Sequence, residues 1–327
     1  MKLLVTGGAG YIGSHVVRQL GEAGHQIVVY DDLSTGREEA VLYGDLVQGT
    51  LSDRQALASL FSTHRFDAVL HFAAKIVVPE SVAHPLMYYR NNTSNTLNLL
   101  ETMQEYQVKY LVFSCTAAVY GIPDQVPVSE QAPLQPINPY GASKMMSERM
   151  IADYASSSDM QFVSLRYFNV AGADLQCRIG QATPNATHLI KVGCEAAVGK
   201  RESVSIFGTD FSTPDGTGVR DYIHVEDLAS AHLASLDFLV NENRSEILNC
   251  GYGRGYSVRE VLDEITAVAG GSFKILEAPR RAGDPPQLVA NNEKILTELN
   301  WSPKYNDLSV IIQSALKWEE KLAKSRV

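Results

Sequence analysis

The segment NPYGASK, residues 138–144, sets a phenol and an amine four residues apart, directly behind a proline. Proline is favoured in the first turn of a helix, and residues i and i+4 share one helical face, so Tyr140 and Lys144 can reach a common point. A tyrosine takes a proton from an alcohol only as the phenolate, and moving its pKa from about 10 to about 7 takes about 4 kcal/mol. One cation about 5 Å away supplies about 3 kcal/mol at an effective dielectric near 20, so Lys144 needs the help of a second positive charge.

A third polar side chain accompanies this pair. Thr116 lies in SCTAAVYG, two residues after Ser114, at the end of a predicted strand. Its hydroxyl can hydrogen-bond a substrate hydroxyl or the tyrosine oxygen. The alternative is a strand-end threonine that only caps the backbone. Together the three side chains predict the catalytic set of an enzyme that moves protons to and from an alcohol.

A glycine-rich loop near the start of the chain predicts a cofactor site. Residues 6–13 read TGGAGYIG, so Gly7, Gly10 and Gly13 follow a strand and open a helix. Such glycines allow a tight turn, close approach of the backbone to a pyrophosphate, and packing of helix on strand, while the helix N-terminus attracts the anion. Asp31 ends the second predicted strand, 18 residues after the last glycine. A carboxylate there binds ribose hydroxyls and repels a 2′-phosphate, which predicts NAD.

Alternating strand and helix patterns predict the sheet that carries these groups. Short apolar runs are predicted as strands at 2–7, 26–32, 46–51, 67–74, 110–115 and 162–168. Helices are predicted over 11–23, from a cap at Asp53 to about Ser62, after Pro85, and from about Pro139. Near-continuous apolar strands between helices indicate a parallel sheet covered on both faces. Ligands gather at the carboxyl ends of such strands, where the positive nicotinamide ring of oxidised NAD would be the second cation beside the tyrosine.

The second half of the chain has a looser pattern. Loops are predicted over 171–186 and 208–221, strands at 203–207 and 246–251, helices at 187–199 and 225–240, and two short helices at the end. Ser257 and Glu260 form a capping-box pattern that opens one more helix. We therefore predict an α/β protein: a Rossmann-type doubly wound parallel sheet with a smaller, interleaved C-terminal substrate lobe. The NAD-binding domain would span 1–170 plus about 222–252, and the lobe 171–221 and 253–327.

Composition and charge narrow the class of function. The chain has 327 residues, of which 45% are hydrophobic and 20% charged, and its net charge is −9. That charge argues against nucleic-acid binding, which needs a basic face. No apolar run approaches the roughly 18 residues of a membrane helix, and MKLLVTGG opens as a strand rather than as a signal peptide. The four cysteines, at 115, 177, 194 and 250, lack zinc-ligand spacing, so we predict no metal and a cytoplasmic protein with reduced thiols.

Several motifs together carry a resemblance to a known superfamily. TGGAGYIG, Asp31, SCTAAVYG, PYGASK and RYFNVAGA resemble the extended short-chain dehydrogenase/reductase superfamily. FGTDFSTPDGTGVRDYIHVEDLA, residues 207–229, and PRRAGDPP, residues 279–286, are similar to its sugar-nucleotide 4-epimerases. The resemblance covers essentially the whole chain. It implies a homodimer that uses NAD to invert C4 of a UDP-hexose, interconverting UDP-glucose and UDP-galactose through a transient 4-keto sugar.

The resemblance also implies roles for single residues. Tyr140 would be the catalytic base, Lys144 its partner and a ribose ligand of NAD, and Thr116 the assisting hydroxyl. Further residues would line NAD: Gly7, Gly10, Tyr11, Ile12, Gly13, Asp31, Asp32, Ser34, Thr35, Gly36, Thr50, Leu51, Phe72, Ala73, Ala74, Lys75, Asn91, Ser114 and Tyr167. With Thr116 and Tyr140, a second set would line the UDP-sugar: Phe168, Asn169, His188, Leu189, Ser205, Ile206, Phe207, Arg220, Tyr222, Arg281, Asp284 and Leu288. The two arginines of this set suit a diphosphate, because a guanidinium fork matches phosphate oxygens.

Three positions depart from the pattern that the resemblance implies. Many members carry serine at Thr116, and the hydroxyl is retained here. An aspartate that contacts adenine corresponds to Thr50, and using the nearby Asp45 instead would shift the strand register. The gate beside the sugar C2 substituent corresponds to Leu288, a side chain of intermediate size that leaves N-acetylated sugars open.

Other functions remain as alternatives. The 4-epimerisation of another UDP-sugar, such as a UDP-N-acetylhexosamine, UDP-glucuronate or a UDP-pentose, differs only in a few sugar contacts. A nucleotide-sugar dehydratase or decarboxylase uses the same scaffold, but a dehydratase needs an acidic pair after the catalytic threonine, where this chain has Ala117 and Ala118. A non-enzymatic NAD sensor is disfavoured because the tyrosine and the lysine are both present.

Overall fold

The computed structural model describes residues 1–184, 186–281 and 284–324. Its strands, in chain order, are β1 (Lys2–Thr6), β2 (Gln26–Asp31), β3 (Asp45–Gln48), β4 (Ala68–His71), β5 (Tyr110–Thr116), β6 (Gln161–Tyr167), β7 (Asn169–Ala171), β8 (Ser203–Phe207), β9 (Val219–His224), β10 (Glu246–Cys250), β11 (Gly255–Ser257), β12 (Lys274–Ala278) and β13 (Gln287–Leu288). Its α-helices are α1 (Tyr11–Glu22), α2 (Arg54–His64), α3 (Val78–Ala83), α4 (Pro85–Tyr88), α5 (Asn95–Glu105), α6 (Pro139–Ser156), α7 (Leu189–Ala197), α8 (Val225–Glu242), α9 (Val258–Ala269), α10 (Glu293–Glu298) and α11 (Leu308–Lys324).

Seven parallel strands form the central sheet in the order β10-β6-β5-β4-β1-β2-β3. The register places Thr6 opposite both Tyr30 and His71, so β1 lies at the middle of the sheet between β2 and β4. The chain order reverses at β1, and ligands of doubly wound sheets bind at such a switch point, outside the carboxyl ends of the strands. The predicted α/β class and parallel sheet are confirmed.

Both faces of the sheet are buried, as the continuous apolar strands predict. Leu3 and Val5 of β1 pack into one core with α1 and α8, while Leu4 packs into another with α2, α5 and α6, and all three side chains are fully buried. Successive residues of a strand face opposite sides, so one strand serves two cores. This two-sided packing holds the strand ends, and hence the loops that follow them, in fixed positions.

Two smaller sheets lie in the second half of the chain; the predicted strand at 203–207 is confirmed as β8, whereas β9 begins within the predicted loop 208–221. In one, β9 pairs with β7, β11 and β13, and in the other β8 pairs with β12. Helices α7, α9 and α11 pack on one another beside these sheets. The predicted NAD-binding domain includes residues 222–252. Of the strands in that range, β10 joins the central sheet, whereas β9 lies in a smaller sheet. The division of the chain into a domain and a lobe stays a prediction.

Several element predictions are confirmed and others are wrong. Asp53 caps α2 by accepting from the backbone of Gln55 and Ala56, and the predicted capping box opens α9. The expected strand at 46–51 is shorter, since Gly49 and the turn after it leave the sheet. The long helix expected after Pro85 is confirmed: α4 begins at Pro85 and continues through a π-helical turn, Tyr89–Ser94, into α5. The last helix has 17 residues rather than being short.

Candidate functional site

The glycine-rich loop joins β1 to α1 in a turn that only glycine fits. Gly7 has a φ of +72°, and a Cβ there would lie 2.6 Å from the backbone nitrogen of Ala73. A Cβ on Gly13 would lie 2.3 Å from the carbonyl oxygen of Gly7. Gly10 occupies the N-cap of α1 and has no side chain to cap the first turn. The free N–H groups and the helix dipole therefore suit a phosphate, which the bare backbone allows to come close.

Tyr11 and Ile12 open α1 with their side chains turned to the protein. The Tyr11 hydroxyl donates to the carbonyl oxygen of Gly172 at 2.7 Å, and Ile12 packs against the core. What these two residues can offer a cofactor is therefore their backbone N–H groups. Both residues were predicted to line the cofactor, and this placement leaves their backbone, rather than their side chains, for that contact.

Asp31 ends β2 with its carboxylate held by two backbone N–H groups. Ala9 N donates to it at 3.0 Å and Leu33 N at 2.9 Å. Burial raises the pKa of Asp31, and these hydrogen bonds oppose the rise. A carboxylate has about four acceptor positions, so two remain for the hydroxyls of a ribose.

The loop after Asp31 closes against the glycine-rich loop. Asp32 accepts from Ser34 N at 2.9 Å, and a Cβ on Gly36 would lie 3.0 Å from the Asp31 carboxylate. Ser34 and Thr35 are exposed beside it. The loop thus brings the predicted adenosine-binding residues Asp32, Ser34, Thr35 and Gly36 to the Asp31 carboxylate.

Thr50 and Leu51 lie just past β3, on the same edge of the sheet as Asp31. The Thr50 hydroxyl hydrogen-bonds that of Ser52 at 3.0 Å, and the Leu51 carbonyl accepts from Asn98 at 3.0 Å. Asp45 lies at the other end of β3, because it pairs with Val28 while Gln48 pairs with Asp31. Asp45 therefore cannot replace the aspartate that Thr50 lacks.

The helix α6 carries the tyrosine and the lysine, as the sequence predicts. Asn138 caps it by accepting from Gly141 N at 2.9 Å, and Pro139 is its first residue. Tyr140 is 9% exposed and Lys144 is 3% exposed, so both polar groups are nearly enclosed. The ammonium of Lys144 lies 4.2 Å from the centre of the Phe113 ring on β5.

Burial acts on both groups in the direction that favours the neutral form. It raises the pKa of Tyr140 to about 12, and a hydrogen bond from the Thr116 hydroxyl opposes the rise. It lowers the pKa of Lys144 to about 8. Thr116 also accepts from Ala118 N at 3.1 Å, so both of its predicted roles, assisting the tyrosine and capping the strand end, occur together. Tyr140 needs a further positive charge to ionise near neutral pH.

The segment after β4 is fixed by residues that the sequence analysis missed. Asn92, 2% exposed, accepts from Lys75 N at 2.8 Å and donates to the Lys75 carbonyl and to the Ser143 hydroxyl, both at 3.0 Å. It ties the predicted cofactor segment to α6, and the predicted Asn91 donates to it at 3.0 Å. The sequence shows two adjacent asparagines, 91 and 92. It does not show which of them is buried, because the π-helical turn that buries the second one has no recognisable sequence pattern.

Phe72, Ala73 and Ala74 continue this segment, and Ser114 and Tyr167 face it from β5 and β6. The backbone N–H groups of Phe72 and Ala73 both donate to the Thr6 carbonyl, at 2.9 and 3.1 Å, which holds the segment over the glycine-rich loop. The hydroxyls of Ser114 and Tyr167 hydrogen-bond each other. These predicted cofactor residues therefore lie at the carboxyl ends of adjacent strands.

Four residues predicted to contact substrate line one pocket. Asn169, His188, Leu189 and Tyr222 share it with Gly172, whose carbonyl accepts from Tyr11. Burial lowers the pKa of His188 and raises that of Tyr222 to about 12, so both side chains are neutral at pH 7. The pocket thus adjoins the start of α1 and combines these uncharged hydrogen-bonding groups with the buried ion pair Lys191–Glu319.

The two predicted diphosphate arginines are held in different ways. Arg220 on β9 has its side chain 15% exposed and lies 3.7 Å from the carboxylate of Asp284. The Arg281 guanidinium lies 3.8 Å from the centre of the Phe207 ring, and that ring is 36% exposed. Within the motif that contains Arg281 and Asp284, residues 282 and 283 lie outside the described residues.

Ser205, Ile206, Phe168 and Leu288 differ in what they can offer a ligand. Ile206 is 2% exposed, Phe168 6% and Leu288 8%, and all three belong to apolar cores. Ser205 is half-buried on β8 and faces the side opposite Ile206. The structure makes Leu288 a packed residue opposite Arg220 in the β13–β9 register.

A buried carboxylate next to Arg220 was also missed. Asp221 accepts from the backbone N–H groups of Tyr252 and Gly253, each at 2.9 Å, and of Ala290 at 3.2 Å. Burial raises its pKa to about 6 and these hydrogen bonds oppose the rise. It fixes the strand that carries Arg220 and Tyr222, a role that the sequence VRDY does not reveal.

The described residues contain neither a membrane-spanning helix nor a cluster of metal ligands. No helix within 1–184, 186–281 and 284–324 has the length and apolar character needed to cross a bilayer. In the same ranges no group of three or more His, Cys, Asp and Glu side chains is placed to hold a metal ion.

The chain is similar to known proteins along its full length. A UDP-glucose 4-epimerase of Azospirillum brasilense is 54% identical over 325 residues, which cover 99% of this chain and 93% of the relative. Among solved structures, a UDP-glucose 4-epimerase of Stenotrophomonas maltophila with bound NAD and formylated UDP-arabinopyranose superposes with a TM-score of 0.96 at 39% identity, covering 99% of both chains. The UDP-Glc/GlcNAc 4-epimerase of Campylobacter jejuni is 49% identical with a TM-score of 0.86, covering 98% of this chain and 99% of that one.

A family model agrees with these similarities. The model of the NAD dependent epimerase/dehydratase family matches residues 3–251, a stretch that runs from β1 through β10 and contains the glycine-rich loop and α6. The resemblance to sugar-nucleotide 4-epimerases is confirmed. The chain therefore belongs to the NAD dependent epimerase/dehydratase family.

Proposed function

We propose that this chain is an NAD-dependent epimerase that inverts C4 of a UDP-hexose and so interconverts UDP-glucose and UDP-galactose. The observation that carries the proposal is the enclosure of Tyr140, Lys144 and Thr116 at the carboxyl edge of the sheet, beside a loop and a carboxylate that fit a dinucleotide. The identity to UDP-glucose 4-epimerases over nearly the whole chain supports the same reaction. Bound NAD would supply the hydride acceptor for the sugar C4.

The protein's own residues would handle the proton. Tyr140 as phenolate takes the proton of the sugar 4-hydroxyl, and Thr116 hydrogen-bonds the tyrosine oxygen. Lys144 would hold a ribose of the cofactor and add positive charge near the phenol. When the 4-keto sugar presents its other face, the same phenol would return the proton to the C4 oxygen while C4 takes back the hydride, so the configuration at C4 would be inverted.

Arg220 and Arg281 would anchor the UDP part during this turn. Arg220 is largely buried and its guanidinium lies 3.7 Å from the Asp284 carboxylate, longer than a close ion pair, so it can accept the phosphate charge. The exposed face of Phe207 offers an apolar surface for the uracil ring. Binding energy from the nucleotide, which does not react, would keep the keto sugar from escaping while the sugar itself stays free to rotate.

The test is conversion of UDP-galactose by the purified protein with no added NAD, followed by identification of the product. The proposal predicts UDP-glucose, and the variant Tyr140→Phe, which removes only the phenol oxygen, should form none. Absence of product from protein that carries a full equivalent of NAD would refute it. The same product assay with UDP-glucuronate and with UDP-pentoses as substrates shows whether contacts to C6 restrict the choice of sugar.

A second substrate class is favoured by one observation. Leu288 is an intermediate side chain at the position that the resemblance makes the C2 gate, and the Campylobacter jejuni relative acts on both UDP-Glc and GlcNAc forms. We infer that N-acetylated UDP-hexosamines also react. Substituting Leu288→Tyr should reduce turnover of the N-acetylated sugar more than that of UDP-glucose, whereas an equal loss would show that Leu288 only packs the core.

We also propose a homodimer in the cytoplasm, formed through the face of α5 and α6. Leu97 on α5 and Met146 on α6 are exposed, at 44% and 42%, and Leu86 on α4 is 78% exposed. Exposed apolar side chains grouped on neighbouring helices are typical of protein contacts. Equilibrium sedimentation of Leu97→Lys and of the unsubstituted chain would test this, because only the variant should be a monomer.

A further inference from the structure

A buried polar network lies behind α6, and the proposed mechanism does not use it. Arg166 on β6 and Glu148 on α6 are each 3% exposed. Arg166 Nε donates to both carboxylate oxygens of Glu148, at 3.2 and 3.1 Å, and its Nη2 donates to the same carboxylate. The Ser164 hydroxyl donates to Glu148 at 2.6 Å. A carboxylate that receives four hydrogen bonds inside the protein is held in one orientation.

Glu148 follows Lys144 by one helical turn. Residues four apart on a helix are neighbours on one face, so the carboxylate is fixed behind the ammonium. The ammonium itself lies against the Phe113 ring, and Glu148 forms its salt bridge with Arg166 rather than with Lys144. The charge of Glu148 therefore acts on the buried ammonium of Lys144 from a distance, without a direct salt bridge between them.

Several ionisable groups face Lys144 from the surrounding elements. Glu148 is an anion, and the groups described next are neutral or positive. Burial, and after it the charge of Lys144, lower the pKa of His71 on β4 to about 3, so this ring is neutral. Burial raises the pKa of the Cys115 thiol on β5, and burial raises that of Tyr140 to about 12, so both are protonated. Arg166 is a further cation. Of the two groups whose negative charge would raise the pKa of Lys144, Cys115 and Glu148, the carboxylate of Glu148 is the one that is charged at neutral pH.

We propose that Glu148 is a positioning residue for the catalytic lysine, one whose buried carboxylate, oriented by Arg166 and Ser164, keeps the ammonium of Lys144 charged. This inference rests on the proposed function of Lys144. The structure explains why the charge needs support: a buried ammonium beside an aromatic ring has little else to favour it over the neutral amine. Loss of that proton would remove the positive charge next to Tyr140 and a donor to the cofactor ribose.

The experiment compares three variants of α6 with the unsubstituted holoenzyme. Glu148→Gln removes the charge at nearly the same side-chain shape, Glu148→Asp keeps the charge on a side chain one methylene shorter, and Asp153→Asn removes the charge of an exposed pair, Arg149–Asp153, on the same helix. Two quantities are followed against pH: the rate of epimerisation, and the rate at which NAD leaves the holoenzyme. A folded fraction is measured by circular dichroism at each pH.

We expect the alkaline fall in activity, and the alkaline acceleration of NAD release, to begin about one pH unit lower in Glu148→Gln. This is the order of size produced by removing one unit charge a helical turn away inside a partly screened environment, with Arg166 unchanged. Glu148→Asp and Asp153→Asn should follow the unsubstituted enzyme. The double variant Glu148→Gln/Arg166→Gln, which removes both buried charges, should shift in the same direction and covers the case in which the single variant does not fold.

Identical alkaline limbs in Glu148→Gln and Glu148→Asp would overturn the inference and leave Glu148 with a purely structural role. Failure of the proposed function would look different, because the unsubstituted protein would then form no product at any pH. The NAD-release profile is independent of turnover, so it tests Glu148 even in that event.

Discussion

Replacing Asp31 by asparagine should weaken NAD binding and relax the exclusion of NADP. The carboxylate accepts from Ala9 N at 3.0 Å and from Leu33 N at 2.9 Å, so it is fixed at the end of β2 and cannot turn away from a ligand. Hydrogen bonds to a charged group are worth about 1.5–3 kcal/mol, so losing the charge should raise the dissociation constant of NAD about 10- to 150-fold. A carboxylate about 4 Å from a phosphate charge repels it by about 4 kcal/mol at an effective dielectric near 20.

Removal of that repulsion should improve NADP binding while NAD binding declines. The assay is titration of stripped protein with NADH and NADPH by fluorescence, for the unsubstituted chain, Asp31→Asn, and Asp32→Asn as the exposed neighbour. The ratio of the NADPH dissociation constant to the NADH dissociation constant should fall by about three orders of magnitude or more in Asp31→Asn only. Equal ratios in all three proteins would refute the role of the Asp31 carboxylate in cofactor choice.

Three further predictions concern the loop, the threonine and the buried histidines. Gly13→Ala should lose NAD affinity at least tenfold by equilibrium dialysis, because its Cβ would lie 2.3 Å from the Gly7 carbonyl oxygen and the loop must shift; unchanged affinity would contradict this. Thr116→Ser should keep activity, while Thr116→Val should lose about 10- to 100-fold in kcat, since a hydrogen bond to a developing phenolate is worth about 1.5–3 kcal/mol; equal rates would exclude the hydroxyl. Thermal unfolding should show stability falling as pH drops from about 6.5 to about 4, by up to about 1.4 kcal/mol per pH unit for each buried histidine, because the folded-state pKa is depressed and the unfolded chain binds the protons. A flat profile would contradict the neutral state of these rings: His15, His71, His224 and His232.

The sequence predicted the elements whose signal is local. Apolar runs located the strands of the central sheet to within a residue or two at most ends, and the Ser257–Glu260 pair located a helix start. The glycines, Asp31, Tyr140 and Lys144 could be singled out as candidates, because the proposed chemistry requires those residue types at fixed spacing. These features depend on residues that are close together in the sequence, so they can be predicted from a single sequence.

The features that were missed depend on contacts between distant segments. The short strands β7, β11 and β13 form only because β9 pairs with each of them, and two to three residues carry no periodicity. Asn92 and Asp221 are buried polar residues whose partners lie on other elements, and their local sequence resembles that of surface residues. The register of β3, which sets Asp45 apart from Thr50, likewise follows from pairing with β2.

The central claim is that Tyr140 becomes a base only when positive charge from the cofactor joins that of Lys144. It is tested most directly by ultraviolet titration of the phenolate, as the difference between the unsubstituted enzyme and Tyr140→Phe, once with oxidised and once with reduced cofactor bound. Burial raises the pKa of Tyr140 to about 12. We expect the pKa of Tyr140 to be clearly lower with the oxidised cofactor bound than with the reduced cofactor bound. The same tyrosine pKa with both cofactor forms would contradict it.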